Sequence, residues 1–472
     1  MIKRVVALPS INSMTASESE QLGLPIGTRF PETQPKPFRP IHYLGSKLRL
    51  IDKIKLLTRS AAPAGSKFCD VFSGSGTVSF AMSRDYDVTS IDIQEYSRVI
   101  SLALSSRVRP TSSDIVKFIS DMSSCSFYRE LNSIFLEAVT FENEALLEAI
   151  TESPRNIVAI LEHGSIKISS GAKLPYFAKI RERLQHSDLL NSNKALVASC
   201  YGGIYFSYEQ AVAIDAIRHH IDSIQDQDAQ LVYLAALLSA VSDCVNTIGK
   251  HFAQPIRPIR KDGTIKQNLI RKIISDRKID FLSLYRSWLL TYGSLPCHKT
   301  KGIAIKGDYA EELVRLKQRG VKFDVIYADP PYTRDHYSRY YHLLETVCLR
   351  DNPELSTSTI SGVTSISRGL YRKDRHQSPF CIKRQAPVAF RALFGAARTF
   401  DCPLILSYSP FSKANDDHPR LMDMSQITTL GSSFYKFSTV SYCNDFTHSK
   451  LNSTLNNKNR EEEAEVLITF FP

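Results

Sequence analysis

The residues best suited to chemistry form the tetrapeptide Asp329-Pro330-Pro331-Tyr332. The apolar run Val325–Ala328 before it predicts a buried parallel strand, which the two prolines must end. Asp329 is therefore expected at the carboxyl end of a strand, the edge where open α/β sheets bind ligands. The Asp329 carboxylate and the Pro330 carbonyl can both accept hydrogen bonds from one NH2 group, and Tyr332 offers a face for stacking a base. An ordinary turn with an N-capping aspartate is the alternative.

A second segment has the pattern of a cofactor-binding turn. The predicted strand Phe68–Phe72 runs into Ser-Gly-Ser-Gly, where Gly74 and Gly76 permit a tight turn and a close approach to a ligand. The next predicted strand, Val88–Ile91, ends at Asp92, about 20 residues downstream, where an acidic residue can bind ribose hydroxyls. The third glycine of the dinucleotide fingerprint is absent, which disfavours a nicotinamide-dependent oxidoreductase.

Two weaker signals flank these motifs. Gly45 and Lys47 precede an amphipathic helix, so they predict either an anion site at a helix start or an ordinary capped helix. The short predicted strand Ile303–Lys306 is followed by Asp308 and Tyr309, which suit either cofactor contact or simple capping of the next helix.

Taken in order, these segments resemble the motifs of the D12 class, α-group (Dam-like) N6-adenine-specific DNA methyltransferases. The resemblance implies an α/β fold, a Rossmann-like AdoMet-dependent methyltransferase sheet that is mostly parallel with an antiparallel last strand, carrying a large and mainly helical insert. It implies that Asp329, Pro330, Pro331 and Tyr332 are catalytic. It also implies that S-adenosyl-L-methionine (AdoMet) is the cofactor, bound by Tyr43, Lys47, Asp70, Phe72, Gly74, Gly76, Asp92, Asp308 and Tyr309.

The activity implied by the resemblance is methyl transfer to the N6 amino group of an adenine flipped out of duplex DNA. The expected setting is the modification enzyme of a restriction-modification system, functionally paired with a restriction endonuclease. A monomeric protein of the bacterial cytosol or of a phage, without a metal, is expected. Two classes of alternative stay open. One is an amino-methyltransferase that acts on RNA, on protein glutamine or on N4 of cytosine, and the other is a non-catalytic DNA-binding protein on this scaffold. Covalent C5-cytosine chemistry through Cys297 has no supporting motif.

Composition favours a soluble protein with a polyanionic partner. The net charge is +11, with 43% hydrophobic and 23% charged residues. The apolar run Leu231–Leu238 is too short to span a membrane. The nine cysteines include no Cys-x-x-Cys pair, which argues against a disulfide framework or a zinc site and favours a reducing cytosol.

Basic residues concentrate in two stretches, and such runs are often only solvated faces. Because both stretches interrupt a domain that modifies bases, we expect them to contact DNA phosphates. The predicted contacts are Arg257, Arg260, Lys261, Arg271, Lys272, Arg372, Lys373 and Arg375.

The predicted domain organisation follows from these positions. Residues 1–40 form an N-terminal arm, and the catalytic domain comprises 41–105, 301–350 and 401–472. Residues 106–300 form a target-recognition insert, and 351–400 form a second, DNA-contacting insert. The later strands of the sheet are predicted at Leu404–Tyr408, Phe434–Tyr442 and Glu465–Phe471.

Overall fold

A computed structural model describes residues 38–168, 174–297, 302–360, 362–409, 421–443 and 465–472. Residues 1–37 of the predicted N-terminal arm lie outside this part of the chain. The charged segment 457–463, predicted to connect the last two strands, lies outside it as well. The end of the arm is packed, because the Phe38 ring makes edge contacts with the rings of Phe80, Trp288 and Tyr292.

Seven of the strands in the described residues form one mixed sheet. The strands are β1 (Lys67–Asp70), β2 (Asp87–Asp92), β3 (Ile303–Lys306), β4 (Val325–Ala328), β5 (Thr357–Ile360), β6 (Val363–Ile366), β7 (Leu404–Tyr408), β8 (Phe437–Cys443) and β9 (Glu465–Phe471). The sheet has the order β3-β2-β1-β4-β7-β9-β8, with the first five strands parallel to one another. Strand β9 lies antiparallel between β7 and β8. Strands β5 and β6 form a separate hairpin.

The helices fall into those that cover the sheet and those that build the large insert. They are α1 (Ile51–Ala61), α2 (Thr77–Met82), α3 (Glu95–Ser105), α4 (Ser112–Ser124), α5 (Ser126–Thr151), α6 (Arg155–His163), α7 (Phe177–His186), α8 (Tyr208–Ile221), α9 (Gln227–Cys244), α10 (Gln267–Arg277), α11 (Phe281–Gly293), α12 (Tyr309–Gln318), α13 (Tyr337–Tyr340), α14 (His342–Leu349), α15 (Ala386–Arg398) and α16 (Met424–Ser432). A short 3-10 turn, Lys47–Leu50, leads into α1. None of the helices in the described ranges is long and apolar enough to cross a membrane.

Both faces of the sheet are buried, which explains why its central strands read as continuous apolar runs. Successive side chains of a strand point to opposite faces. Phe68 and Val325 pack in the core beneath α1 and α2, whereas Cys69 and Ile326 pack in the core beneath α12 and α15. The two layers hold β1 and β4 in the centre of the sheet, so their carboxyl ends are fixed from both sides.

The large insert shares a core with the sheet domain. Helix α9 packs along α3, and residues of α3 such as Ile100 belong to the same buried cluster as Leu237 of α9 and Tyr285 of α11. Because α3 directly follows β2, this packing ties the insert to the strand that ends at Asp92.

Strands β3, β4, β7 and β9 begin and end at the predicted residues. The predicted Rossmann-like sheet with an antiparallel last strand is confirmed. Helix α15 lies inside the range 351–400 predicted as a second insert, yet Phe390 and Leu393 are buried in the sheet core. This helix is the last part of the connection from β4 to β7 and packs with the sheet.

Candidate active site

A cleft opens at the carboxyl ends of β1, β2, β3 and β4. Its walls include Tyr43, Phe72, Asp92, Asp308, Tyr309 and Asp329, which are predicted site residues from five separate stretches of the chain. The sheet therefore brings most of the predicted cofactor residues to one place, next to the predicted catalytic aspartate.

Asp92 fixes the glycine turn and faces the cleft. Its Oδ2 accepts a hydrogen bond of 2.8 Å from the Gly74 amide, and its Oδ1 accepts one of 2.9 Å from the Gln94 amide. Burial raises the pKa of Asp92 to about 6, although both hydrogen bonds oppose the shift. Because the carboxylate also borders the cleft, it can accept hydrogen bonds from ribose hydroxyls there.

Tyr43 forms an aromatic wall against the glycine turn. Its ring stacks on Tyr341, with 4.9 Å between centroids. Gly74 has a φ of +50°, and a Cβ at this position would lie 2.7 Å from the Tyr43 ring. The Leu44 amide donates to the Tyr341 hydroxyl at 2.6 Å, and the Tyr337 hydroxyl donates to the Leu44 carbonyl at 3.1 Å. The helices after Asp329 thus hold this segment in place.

Three aromatic rings form another wall of the cleft. The centroids of Phe72, Tyr309 and Phe380 lie 5.1–5.5 Å apart. The Tyr309 hydroxyl donates to the Ala389 carbonyl at 2.9 Å, which fixes the ring. Asp308 caps helix α12 by accepting the Ala310 and Glu311 amides, so the capping alternative holds while its side chain still borders the cleft.

Asp329 lies directly after β4, as predicted, with its side chain 19% exposed. The ammonium of Lys47 lies 2.9 Å from Asp329 Oδ2 and 2.9 Å from Glu465 Oε1. It also donates to the Gly45 carbonyl at 2.9 Å. Burial and the Glu465 charge raise the pKa of Asp329 to about 7, even though Lys47 acts in the opposite direction. The two carboxylates outweigh desolvation at Lys47 and raise its pKa.

Four predicted cofactor residues do not line the cleft: Lys47, Asp70, Gly74 and Gly76. Lys47 is buried against Asp329 and Glu465. Asp70 is fully buried, accepts the Ser79 hydroxyl at 2.7 Å, and has a pKa raised to about 7 by burial. Gly76 packs against Leu104 of α3. Asp70 and Gly76 thus shape the turn from beneath.

The predicted DNA contacts of the first insert divide by exposure. Arg257, Arg260, Lys261 and Arg271 are exposed. The first three belong to a short hairpin, residues 257–266, closed by an antiparallel bridge between Ile259 and Ile265. We call this segment the basic hairpin. Lys272 is paired with Asp276 at 2.7 Å instead of standing free at the surface.

The predicted contacts of the second insert are largely engaged within the protein. Arg372 is buried and pairs with Asp351 at 2.6 Å and with Asp374 at 2.9 Å. Lys373 is exposed and pairs with Glu354. The Arg375 guanidinium lies 4.9 Å from the centroid of the Tyr371 ring. Arg372 therefore stabilises the fold of this insert and is too buried to bind a DNA phosphate.

Sequence reasoning missed several residues of the cleft. Phe380, His376 and Ser378 come from the second insert, which was expected to contact DNA. Glu465 was read only as the first residue of a strand. Glu465 is followed by a continuous apolar run that is buried, and an acidic residue at the start of such a strand was the available signal.

The residue types in the cleft suit AdoMet. The rings of Phe72, Tyr309 and Phe380 offer an apolar, aromatic surface for adenine. Asp92 offers acceptors for ribose hydroxyls, and Tyr43 packs on Gly74 so closely that a Cβ there would collide with its ring. Because the cleft reaches Asp329, a methyl donor bound there would lie next to the predicted acceptor of an amine.

Comparisons with known proteins agree with this geometry. Residues 43–233 match the family model of the D12 class N6 adenine-specific DNA methyltransferases. The match ends before Asp329.

Modification methylase LlaI of Lactococcus lactis subsp. lactis is 24% identical over 70% of this chain and 43% of its own length. Type II methyltransferase M.FokI of Planomicrobium okeanokoites is 23% identical over 78% of this chain and 44% of its own length. Type II methyltransferase M.CviAII of Paramecium bursaria Chlorella virus 1 is 23% identical over 56% of this chain and 71% of its own. The chain thus spans less than half the length of the first two relatives. The predicted resemblance is confirmed: the chain is similar to the D12 class N6 adenine-specific DNA methyltransferases and carries a Rossmann-like methyltransferase sheet.

Proposed function

We propose that the protein is a site-specific DNA adenine methyltransferase that uses AdoMet and acts as the modification enzyme of a restriction-modification system. One observation carries the proposal. A single cleft joins Phe72 and Asp92, which suit the cofactor, to Asp329 and Pro331, which suit an amino group. The similarity to modification methylases supports the biological setting.

In the proposed reaction, AdoMet supplies an electrophilic methyl group when bound. The target adenine is flipped into the cleft, since a stacked base cannot bring its amino group to that methyl. Asp329 and the Pro330 carbonyl accept the two N–H bonds and orient the nitrogen lone pair. Tyr332, which packs edge-on against Tyr408 with centroids 5.5 Å apart, offers its ring to the base. Most of the rate comes from positioning and electrostatics.

The basic hairpin is the proposed phosphate-binding element. Its base is tied to the helix after Asp329, because the Phe252 amide donates to the Tyr340 carbonyl at 2.8 Å. The Arg368 guanidinium donates to the carbonyls of Pro255 and Ile256, joining the second insert to the same base. These contacts join the segment that leads into the basic hairpin to the chain that follows Asp329.

The test is to incubate the protein with methyl-labelled AdoMet and unmethylated duplex DNA, digest the DNA, and identify the labelled nucleoside. Label in N6-methyladenine supports the proposal. Label in N4-methylcytosine overturns the base assignment, and absence of label in DNA overturns the substrate. Competition between duplex DNA and RNA separates the RNA alternative.

The Asp329→Ala variant is expected to lose at least about 100-fold in transfer rate while still binding AdoMet. The matched control is Asp324→Asn, which lies just before the same strand at the opposite edge of the sheet and accepts the Lys67 amide. Near-normal transfer by Asp329→Ala contradicts the catalytic assignment. DNA binding that is independent of AdoMet, without any transfer by the wild type, would favour the non-catalytic alternative.

A further inference from the structure

Glu465, the first residue of β9, is buried beside the catalytic segment and is only 6% exposed. Its Oε1 lies 2.9 Å from the Lys47 ammonium and accepts the Ser407 hydroxyl at 2.7 Å. Lys47 in turn lies 2.9 Å from Asp329 Oδ2. Two carboxylates from different strands therefore share one ammonium at the edge of the cleft.

An acidic residue at this depth is costly unless it is paired. The Lys47 ammonium alone would neutralise Asp329, leaving a pair with no net charge facing the substrate. With Glu465 the group of three carries one net negative charge, since one ammonium faces two carboxylates. Lys47 also occupies Asp329 Oδ2, an oxygen that an incoming amino group needs.

We propose that Glu465 is a positioning residue that holds Lys47, so that the ionised Asp329 carboxylate presents a negative charge that Lys47 does not cancel toward the target amine. The inference rests on the proposed function. When the amine arrives, Lys47 stays bound to Glu465 and releases Asp329 Oδ2 as an acceptor. As the new N–C bond forms and the C–S bond breaks, the nitrogen takes the positive charge that sulfur loses. The nitrogen then releases one proton to Asp329 or to water. The net negative charge stabilises the cationic nitrogen.

The titration of Asp329 reports on this arrangement. The titratable groups that face Asp329 are Lys47, Asp70, Tyr327, Tyr332, Tyr337 and Glu465. Among them, Glu465 raises the pKa of Asp329 while Lys47 lowers it. Removal of the Glu465 charge therefore lowers the pKa of Asp329.

The test is Glu465→Gln, which keeps the shape and an acceptor oxygen but removes the charge. The single-turnover transfer rate on duplex DNA is measured across pH, together with the AdoMet dissociation constant. We expect a plateau rate about tenfold lower, an acid limb displaced downward by about one pH unit, and AdoMet affinity within about twofold of the wild type. Glu465→Asp keeps the charge, so its acid limb stays at the wild-type position.

The matched control is Asp215→Asn. Asp215 is also buried, its pKa is also raised to about 7, and it accepts backbone amides of the insert away from the cleft. This variant changes stability but leaves the acid limb in place.

A plateau rate and acid limb of Glu465→Gln equal to wild type overturn the inference, as does a loss of rate without movement of the limb. If Glu465→Gln does not fold, Ser407→Ala is measured in the same way, and an unchanged plateau rate again overturns the inference. Wild-type protein without transfer activity overturns the proposed function itself, so the two failures are distinguishable.

Discussion

Replacing Gly74 with alanine is expected to weaken cofactor binding much more than a comparable glycine substitution elsewhere. Gly74 has a φ of +50°, so an alanine there pays about 1–2 kcal/mol of backbone strain. The new Cβ would also lie 2.7 Å from the Tyr43 ring. That ring cannot retreat freely, because it stacks on Tyr341 at 4.9 Å. Overpacking of this kind costs about 1–3 kcal/mol.

Together these terms amount to about 2–5 kcal/mol. The turn can relieve the strain by moving, and in doing so it breaks the hydrogen bond from the Gly74 amide to Asp92. If the whole cost appears as lost affinity, AdoMet binds between about 30-fold and a few thousand-fold more weakly. Titration calorimetry with AdoMet measures this loss, and urea unfolding of the free protein measures the part that appears as stability.

Gly65→Ala is the matched control. Gly65 has a φ of +88°, and a Cβ there would meet nothing within 4 Å. It therefore carries the backbone strain without the collision, and AdoMet affinity should be unchanged. Affinity of Gly74→Ala within about threefold of wild type would refute the reasoning, since it corresponds to less than about 1 kcal/mol. An equal loss of AdoMet affinity in Gly65→Ala would show that the effect comes from general destabilisation of the protein.

Three further outcomes are expected. The double variant Arg260→Ala/Lys261→Ala should bind duplex DNA more weakly and lower the salt dependence of binding by about two phosphate contacts, as measured by fluorescence anisotropy. Phe380→Ala should weaken AdoMet binding in calorimetry, because the buried ring borders the cleft. Asp70 and Asp215 have pKa values raised to about 7, so their ionisation disfavours the folded state, and the free energy of unfolding in urea should fall by at least about 2 kcal/mol from pH 5 to pH 8.

Each of these outcomes has a control. Exposed Arg319, on the loop before β4, should leave DNA binding unchanged when replaced by alanine. Phe400→Ala removes a ring packed on Phe323 and should lower stability without lowering AdoMet affinity. Asp215→Asn should reduce the pH dependence of unfolding. Stability that rises from pH 5 to pH 8 would contradict the expected direction, because a raised pKa in the folded state means that stability is lost as pH increases through it.

The strands that build the site could be predicted because burial on both faces leaves an unmistakable apolar run. Val325–Ala328 and Leu404–Tyr408 are examples, and both have the predicted bounds. Asp329 and Asp92 were placed correctly at strand ends because a strand and its following residue are adjacent in sequence. The local sequence pattern therefore predicts which residues lie at the carboxyl end of each strand.

Contacts between distant segments were not predictable in the same way. Lys47 was assigned to the cofactor, yet its ammonium pairs with Asp329 and Glu465 from the other half of the chain. Phe380 was placed in a DNA-contacting insert, yet it packs on Phe72 and Tyr309. Both outcomes depend on how loops fold back over the sheet. A local sequence pattern does not indicate which distant residues such a loop will contact.

The position of β9 has a consequence for the order of folding. Strand β9 separates β7 from β8, although both of those strands precede it in the chain. On a translating ribosome, β8 therefore waits without its sheet partner until β9 has been made. Glu465 arrives with the same strand, so Lys47 and Asp329 lack their third partner until that moment. The nascent chain can assemble the turn around Asp92 early, but the complete catalytic arrangement forms only when β9 enters the sheet.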